Sequence, residues 1–156
     1  MRYFLDTEFN GFGGDLISLA LAPEDRDAAA FYEALPCQQP EPWVIDHVQP
    51  NLHIQPISRP EMTRKLAQYL CRDKEPIVVA DWPEDIAHLT LLMVVGPGRR
   101  LALPDMRFEL LDLPLFNSGA LSALPHNALS DAIALRNYVL GRDAEQLCFV
   151  PPETER

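Results

Sequence analysis

The sequence predicts an α/β fold with a mixed sheet of five strands. The chain opens with three short extended segments joined by tight turns, which is typical of an antiparallel meander. Helical periodicity then alternates with two further apolar segments, as in parallel strands joined by crossover helices. The 156 residues, of which 47% are apolar, suffice for one sizeable core. We therefore expect a single domain over residues 1–145 and a short C-terminal tail over 146–156.

The first strand is expected over residues 3–9 and ends at the turn signal Asn10-Gly11. We expect it to be central, because it must pair with its own hairpin neighbour and with the later parallel strands. Since side chains alternate along a strand, Asp6 and Glu8 share one face, about 6.5–7 Å apart at Cα. Two carboxylates this close repel each other, and a divalent cation is the natural compensator. The alternative is an edge strand with both acids in water.

The remaining elements follow from hydrophobic spacing and from turn residues. They are strands over 15–22 and 28–33, a helix over 59–71, a strand over 76–80, a helix from Pro83 to Gly96-Pro97-Gly98, a strand over 106–113 and a helix over 127–140 that ends at Gly141. Residues 114–125 are expected to be a loop. Five prolines interrupt residues 34–59, and the pattern leaves open whether 43–48 is a helical turn or extended.

The composition restricts the classes of partner. With a formal net charge of −10, the chain lacks the basic surface that proteins use to grip a long duplex. Any contact with nucleic acid is expected to be local, metal-mediated or limited to a short single-stranded end. No apolar run reaches the ~18 residues of a membrane span, and the start shows no signal-peptide pattern. We therefore expect no membrane partner and a cytoplasmic location. The three scattered cysteines are expected to be reduced thiols.

Acids and a histidine stand at the ends of the later elements. Asp81 and Asp85 follow the buried strand, His126 precedes the last helix, and Asp131 lies within it. Sites in α/β proteins form where strands end and helices begin, so we expect these residues to converge on the first-strand acids. Each has a structural alternative. Asp81 could cap the helix together with Glu84, the helix dipole favours an acid at Asp85, and the other two could face solvent or a helix end.

These residues form three motifs in a recognisable order. Asp6-Thr7-Glu8, an acid near the start of a mid-chain helix, and His126-Asn-Ala-Leu-Ser-Asp131 resemble the motifs of the DEDD 3′-5′ exonuclease superfamily, His subgroup. Within it, the chain is most similar to the small bacterial 3′-5′ exoribonucleases related to the mycobacterial poly(A)-tail enzyme. The resemblance covers residues 6–131 and implies a ribonuclease H-like (RNase H-like) fold.

Two motifs depart from the family pattern. The second motif usually reads Asn-x-x-Phe-Asp and here reads Asp81-Trp-Pro-Glu-Asp85, which places the catalytic acid at Asp85 and leaves Asp81 as a rival. The Thr-Gly that usually follows the first motif is replaced by Phe9-Asn10-Gly11. The loop that meets the terminal nucleotide is therefore expected to differ from that of the family.

The resemblance implies hydrolysis of phosphodiester bonds from a 3′ end. Asp6, Glu8 and Asp131 would bind two Mg²⁺ ions, for which Mn²⁺ would substitute. Asp85 would bind metal or orient its water, and His126 would be the general base that deprotonates the attacking water. These residue types suit the reaction, because carboxylates hold hard cations, paired ions stabilise both the attacking and the leaving oxygen, and imidazole ordinarily titrates near neutral pH.

The expected substrate is single-stranded nucleic acid, with RNA favoured. Phe9, Asn10 and Trp82 are the expected substrate-binding residues; aromatic faces such as these and Phe12 can stack on any base, although core packing is the alternative. Two other functions stay open: a single-stranded DNA exonuclease of the same fold, and an inactive nucleic-acid-binding or assembly module. A homodimer is possible because many members of the family pair.

Overall fold

A computed structural model of the chain describes residues 1–148, so most of the expected tail over 146–156 lies outside the described residues. The strands are β1 (Arg2–Phe9), β2 (Leu16–Pro23), β3 (Phe31–Ala34), β4 (Ile77–Ala80), β5 (Val94–Gly96), β6 (Arg99–Arg100) and β7 (Arg107–Leu110). The helices are α1 (Pro42–His47), α2 (Arg59–Leu70), α3 (Pro83–Leu92), α4 (Ser118–Leu121) and α5 (Ala128–Cys148), and a 3₁₀ turn covers Gln49–Asn51.

Five of the strands form one mixed sheet in the order β3-β2-β1-β4-β7. β1 is antiparallel to β2 and parallel to β4, β2 is antiparallel to β3, and β4 is parallel to β7. This arrangement confirms the expected α/β class, the five-stranded mixed sheet and the central place of β1. β5 and β6 form a separate hairpin.

Helices cover both faces of the sheet. Tyr3 and Leu5 of β1 share a buried cluster with residues of α2 and α3, whereas Phe4 packs against α5. On the α5 side the contacts come from small and aliphatic residues, Ala128, Ala132 and Leu135. Asp6 and Glu8 follow Phe4 on the same face of β1, so they point toward α5, as strand alternation requires.

The segment over residues 43–48, for which the sequence left a helical turn and an extended conformation open, is helical as far as His47. α1 begins with Pro42, which suits a first helical turn. Val44 of the helix and Val48, the residue that follows it, are buried against Ile17 of β2. This docking places Trp43 on the outer side of the helix, near the carboxyl end of β1.

Two predicted helix ends are wrong. α3 ends at Leu92, before the predicted glycines, because the β-branched Val94 and Val95 form a hairpin strand instead, and Gly98 (φ +64°) makes its turn. α5 does not stop at Gly141 but continues to Cys148. A glycine inside a helix costs only about 1 kcal/mol, and the residues that follow it are good helix formers.

Smaller differences concern the loops. The turn after β2 is longer than expected, and β3 begins at Phe31. β7 ends at Leu110, and the predicted loop over 114–125 contains the short helix α4, which is capped by Asn117. Among the described residues, no helix combines the length and the apolar character that crossing a bilayer requires.

Candidate active site

Three acids from distant parts of the chain meet at one point. Asp6 and Glu8 lie on β1 and Asp131 lies on α5, and each offers a carboxylate oxygen within 4.8 Å of the other two. The approach is close because the neighbouring α5 residues that pack on the sheet, Ala128 and Ala132, are small. Such a set of oxygens is the donor type that hard divalent cations prefer.

Asp131 carries an unsatisfied oxygen in this cluster. The residue is 5% exposed. Its Oδ2 accepts a hydrogen bond from the backbone N–H of His126 at 3.1 Å, whereas its Oδ1 is buried and has no partner among the described residues. A buried carboxylate oxygen without a partner is costly. The orphaned oxygen beside two other acids therefore fits a bound cation.

Asp85 is held next to the three acids by β1 itself. It lies in the first turn of α3, is 3% exposed, and its Oδ1 accepts hydrogen bonds from the backbone N–H of Thr7 (3.1 Å) and from Thr7 Oγ1 (2.6 Å). β4 pairs with β1 only as far as Phe4, so Thr7 lacks a strand partner on that side and Asp85 replaces it. Sequence reasoning missed this role of Thr7, although the residue stands between the two acids of the first motif.

Asp81 does not cap α3. Trp82 occupies the N-cap position without a side-chain hydrogen bond, and the Glu84 carboxylate instead accepts the backbone N–H of Gly13 at 2.7 Å. The capping alternative is therefore wrong. Asp81 lines a cleft of about 240 Å³ together with Asp6, Asp85 and Trp82. Both mid-chain aspartates thus line the same cleft as Asp6 of the first strand.

The crowding of acids opposes their ionisation. Burial, with the negative charges of Asp131 and Asp85 nearby, raises the pKa of Glu8 to about 8. Burial raises the pKa of Asp85 to about 7, although its bonds from Thr7 act in the opposite direction. Burial also raises the pKa of Asp6, with further contributions from the surrounding carboxylates, and it raises the pKa of Asp131. A cation among these groups would reverse that trend.

His126 is held in an unusual backbone conformation at the start of α5. Its φ of 62° lies in the left-handed region, which costs a non-glycine residue about 1–3 kcal/mol unless the surroundings fix it. They do so here. Asn127 Nδ2 donates to the carbonyl of Asn51 (2.7 Å), and Asn51 Nδ2 donates to the carbonyl of Pro125 (3.0 Å).

The imidazole of His126 packs against α1. The rings of His126 and Trp43 meet edge to face, with their centroids 4.8 Å apart. Trp43 in turn stacks on the ring of His47, with centroids 4.7 Å apart. Neither imidazole nitrogen of His126 makes a hydrogen bond to a protein group within residues 1–144. The ring is therefore oriented by its packing against Trp43.

A second cleft lies beside Glu8. It has a volume of about 420 Å³ and is lined by Thr7, Glu8, Phe9, Gly11, Phe12, Glu41, Trp43 and Val44. Phe12, at the tip of the glycine loop (residues 10–14), is 87% exposed, and Trp43 is 49% exposed. Two exposed aromatic rings beside an acidic cluster are suited to stacking on bases.

The expected substrate-binding residues have different surroundings. Phe9 lines both clefts and stacks on His88 with ring centroids 5.0 Å apart, and Trp82 lines the smaller cleft. Both groups of the Asn10 amide are already engaged, with the carbonyl of Gln39 and the N–H of Glu41. Sequence reasoning missed the contribution of Trp43 and Glu41 to this cleft, because the proline-rich segment that carries them shows no hydrophobic periodicity.

No model of a protein family matches the chain, and no curated protein matches it.

Proposed function

We propose that the chain is a metal-dependent 3′-5′ exoribonuclease that acts on single-stranded RNA. In this proposal the domain is RNase H-like and related to the His subgroup of the DEDD superfamily, which the motif order resembles. The observation that supports it most is the meeting of Asp6, Glu8 and Asp131, with a buried oxygen of Asp131 left without a partner.

The donor set fits a pair of Mg²⁺ or Mn²⁺ ions. Asp6, Glu8 and Asp131 would hold them, and Asp85 would contribute a further oxygen or orient water beside them. When bound, the ions would lower the pKa of water and stabilise negative charge on the attacking and leaving oxygens. Thr7 holds Asp85 in place through two hydrogen bonds. That fixed orientation keeps the carboxylate aimed at the cleft it shares with Asp6.

His126 is the general base in this proposal. One of its imidazole nitrogens, Nδ1 or Nε2, would take the proton of the attacking water. Two features support the role: neither nitrogen is engaged within residues 1–144, and the backbone of His126 is bonded to Asp131. The Trp43 contact sets the direction of the ring without occupying either nitrogen.

The substrate is proposed to be a flexible single strand rather than a duplex. Phe12 and Trp43 are exposed beside the acids, and their faces are accessible only to unstacked bases. The net charge of −10 agrees with binding that depends on cations and on a short segment. The preference for RNA over DNA rests on the family resemblance.

The proposal is tested with 5′-labelled RNA and DNA oligomers, incubated with Mg²⁺ in the presence and absence of EDTA. We expect stepwise shortening of RNA from its 3′ end, loss of activity with EDTA, and loss of activity in Asp131→Asn. Asp46→Asn is the matched control, because Asp46 is exposed on α1. Binding of RNA without cleavage by the metal-loaded protein would instead support the inactive module, and faster cleavage of DNA would support the DNA exonuclease.

A further inference from the structure

Phe12 projects from the glycine loop between two residues in the left-handed conformation. Gly11 and Gly13 have φ values of 73° and 71°, which glycine adopts without strain. The N–H of Gly14 donates to the carbonyl of Gly11 at 2.9 Å and closes the loop on itself. The chain therefore turns tightly on both sides of Phe12.

Packing against the core does not hold the ring of Phe12. The side chain is 87% exposed, so its place beside the acids depends on the backbone of the loop that carries it. If that backbone were free to move, a bound base would first have to order it, and ordering costs conformational entropy. A loop that is fixed in advance binds the base more tightly.

The start of the loop is anchored to the segment before α1. Asn10 Oδ1 accepts a hydrogen bond from the N–H of Glu41 at 2.8 Å, and Asn10 Nδ2 donates to the carbonyl of Gln39 at 2.8 Å. One amide side chain thus fixes the residue that lies two positions before Phe12.

The other side of the loop is anchored to α3. Glu84 Oε1 accepts a hydrogen bond from the N–H of Gly13 at 2.7 Å, a short distance that is typical of a charged acceptor. The same oxygen lies 3.8 Å from Nε2 of His88, whose ring stacks on Phe9. Glu84 directly precedes Asp85, so the helix that carries this acid of the site also holds the loop.

We propose that Glu84 is a positioning residue for the substrate, which acts through the backbone of Gly13 to hold Phe12 where it stacks on the base of the bound nucleotide. Glu84 contacts neither metal nor substrate in this role. The inference rests on the proposed nuclease function, because it places the 3′-terminal nucleotide in the larger cleft, which Phe12 and Glu8 line.

The negative charge of Glu84 predicts an effect of the opposite sign. An acid near a bound phosphate repels it, so removal of the charge alone should leave nucleotide binding unchanged or tighten it. Weaker binding after removal of Glu84 therefore reports either a released loop or a disturbed metal site. A ligand that has the phosphate but no base tells these two apart.

Binding of small ligands tests the inference without catalysis. With Mn²⁺ present, calorimetry compares AMP with ribose 5-phosphate, which lacks the base. We expect Glu84→Ala to bind AMP about tenfold less tightly than the wild type, as for loss of a hydrogen bond to a charged group, and to bind ribose 5-phosphate equally well. Glu84→Gln should restore AMP binding, because its amide oxygen still accepts the N–H of Gly13. Glu61→Ala is the matched control, since Glu61 is an exposed acid in the first turn of α2.

A double variant gives the second arm of the test. If Glu84 acts through Phe12, then Phe12→Ala alone and Phe12→Ala combined with Glu84→Ala should bind AMP with the same affinity. A further loss in the double variant would overturn the role of Glu84.

Two other results would also overturn this role and leave the nuclease proposal intact. One is an unchanged AMP affinity in Glu84→Ala, measured beside a wild type that hydrolyses RNA. The other is an equal loss of affinity for AMP and for ribose 5-phosphate, which would show that Glu84 supports the metal site. A wild type that neither hydrolyses RNA nor binds AMP would overturn both proposals.

Discussion

Individual acids in this protein oppose the stability of the fold that holds them. Asp6 stands among carboxylates whose burial and mutual repulsion raise its pKa, and Asp131 keeps a buried oxygen without a partner. Residues that serve function often reduce stability in this way. This loss of folding stability is expected if the acids are arranged to bind a cation.

Replacing one acid by its amide separates stability from activity. We expect Asp6→Asn to raise the stability of the metal-free protein by about 1–2 kcal/mol, because it removes repulsion in the cluster. We also expect it to abolish turnover of RNA, because the amide is a poor ligand for Mg²⁺. Thermal unfolding in EDTA and oligomer degradation measure the two effects. A variant that is both less stable and still active would contradict the account, and Asp46→Asn should change neither property.

The base role of His126 predicts a rate effect without a binding effect. His126→Ala should lower the rate of hydrolysis by about 10²–10⁴-fold, the usual contribution of a general base, and leave Mn²⁺ affinity nearly unchanged. Kinetics beside a calorimetric Mn²⁺ titration measures both. His53→Ala is the matched control, since His53 also has a positive φ, 49°, and is exposed. A loss of metal affinity equal to the loss of rate would count against the base role.

Some of the site residues can be predicted from sequence patterns and others cannot. Asp6 and Glu8 could be placed on one face because strand alternation is strict, and the spacing from His126 to Asp131 marks the start of a helix. The bond from Thr7 to Asp85 was not predictable, because it depends on where β4 stops pairing with β1. Glu41 and Trp43 lie in a segment that has no periodicity, and they are placed by the docking of α1 on Ile17 and by the hydrogen bond from the N–H of Glu41 to Asn10.

At the scale of elements, the site depends on how closely α5 approaches β1. Ala128 and Ala132 of α5 pack with Phe4 in the buried cluster on that face. Small residues allow the helix backbone to lie near the sheet, which brings Asp131 within reach of Asp6 and Glu8. The seam between α5 and β1 is therefore the structural basis of the acidic site.

A larger side chain in the seam between α5 and β1 should displace Asp131 and so weaken metal binding at the acidic site. We expect Ala132→Leu to destabilise the fold by about 1–3 kcal/mol through overpacking and to weaken Mn²⁺ binding, because it moves Asp131 away from the acids of β1. Ala87→Leu is the matched control on the exposed side of α3 and should affect neither property. Unchanged Mn²⁺ affinity in a destabilised Ala132→Leu protein would show that the seam does not position the acids.

Element boundaries show where local signals fail. The five strands of the main sheet and most helix starts follow from apolar periodicity and from proline at the first turn, as in α2 and α3. The predicted ends of α3 and α5 are wrong because a glycine does not by itself end a helix. Gly141 stays helical because the residues that follow it are helix formers. α3 ends before Gly96 because the β-branched Val94 and Val95 favour a strand.

At the scale of the whole molecule, the acidic cluster links stability to pH. In the unfolded chain Glu8 and Asp85 ionise near their ordinary pKa values of 4.5 and 3.8, whereas in the fold their pKa values are about 8 and about 7. Between these limits the folded protein binds more protons than the unfolded chain. Its stability therefore falls as the pH rises.

This linkage predicts that the metal-free protein is less stable at pH 8 than at pH 5. Mn²⁺ should raise the melting temperature much more at pH 8, because it replaces the protons that the acids lose. Melting curves at both pH values, with EDTA or with Mn²⁺, measure the effect. In Glu8→Gln the slope of metal-free stability against pH should be smaller. A metal-free melting temperature that rises from pH 5 to pH 8 would contradict the assigned pKa directions.

The most direct measurement of the central claim is anomalous X-ray diffraction from crystals of the protein grown with Mn²⁺. The account predicts strong manganese peaks in contact with the carboxylates of Asp6, Glu8 and Asp131, and weaker or absent peaks at the same place in crystals of Asp131→Asn. Well-ordered crystals in which these three carboxylates contact no manganese would contradict it.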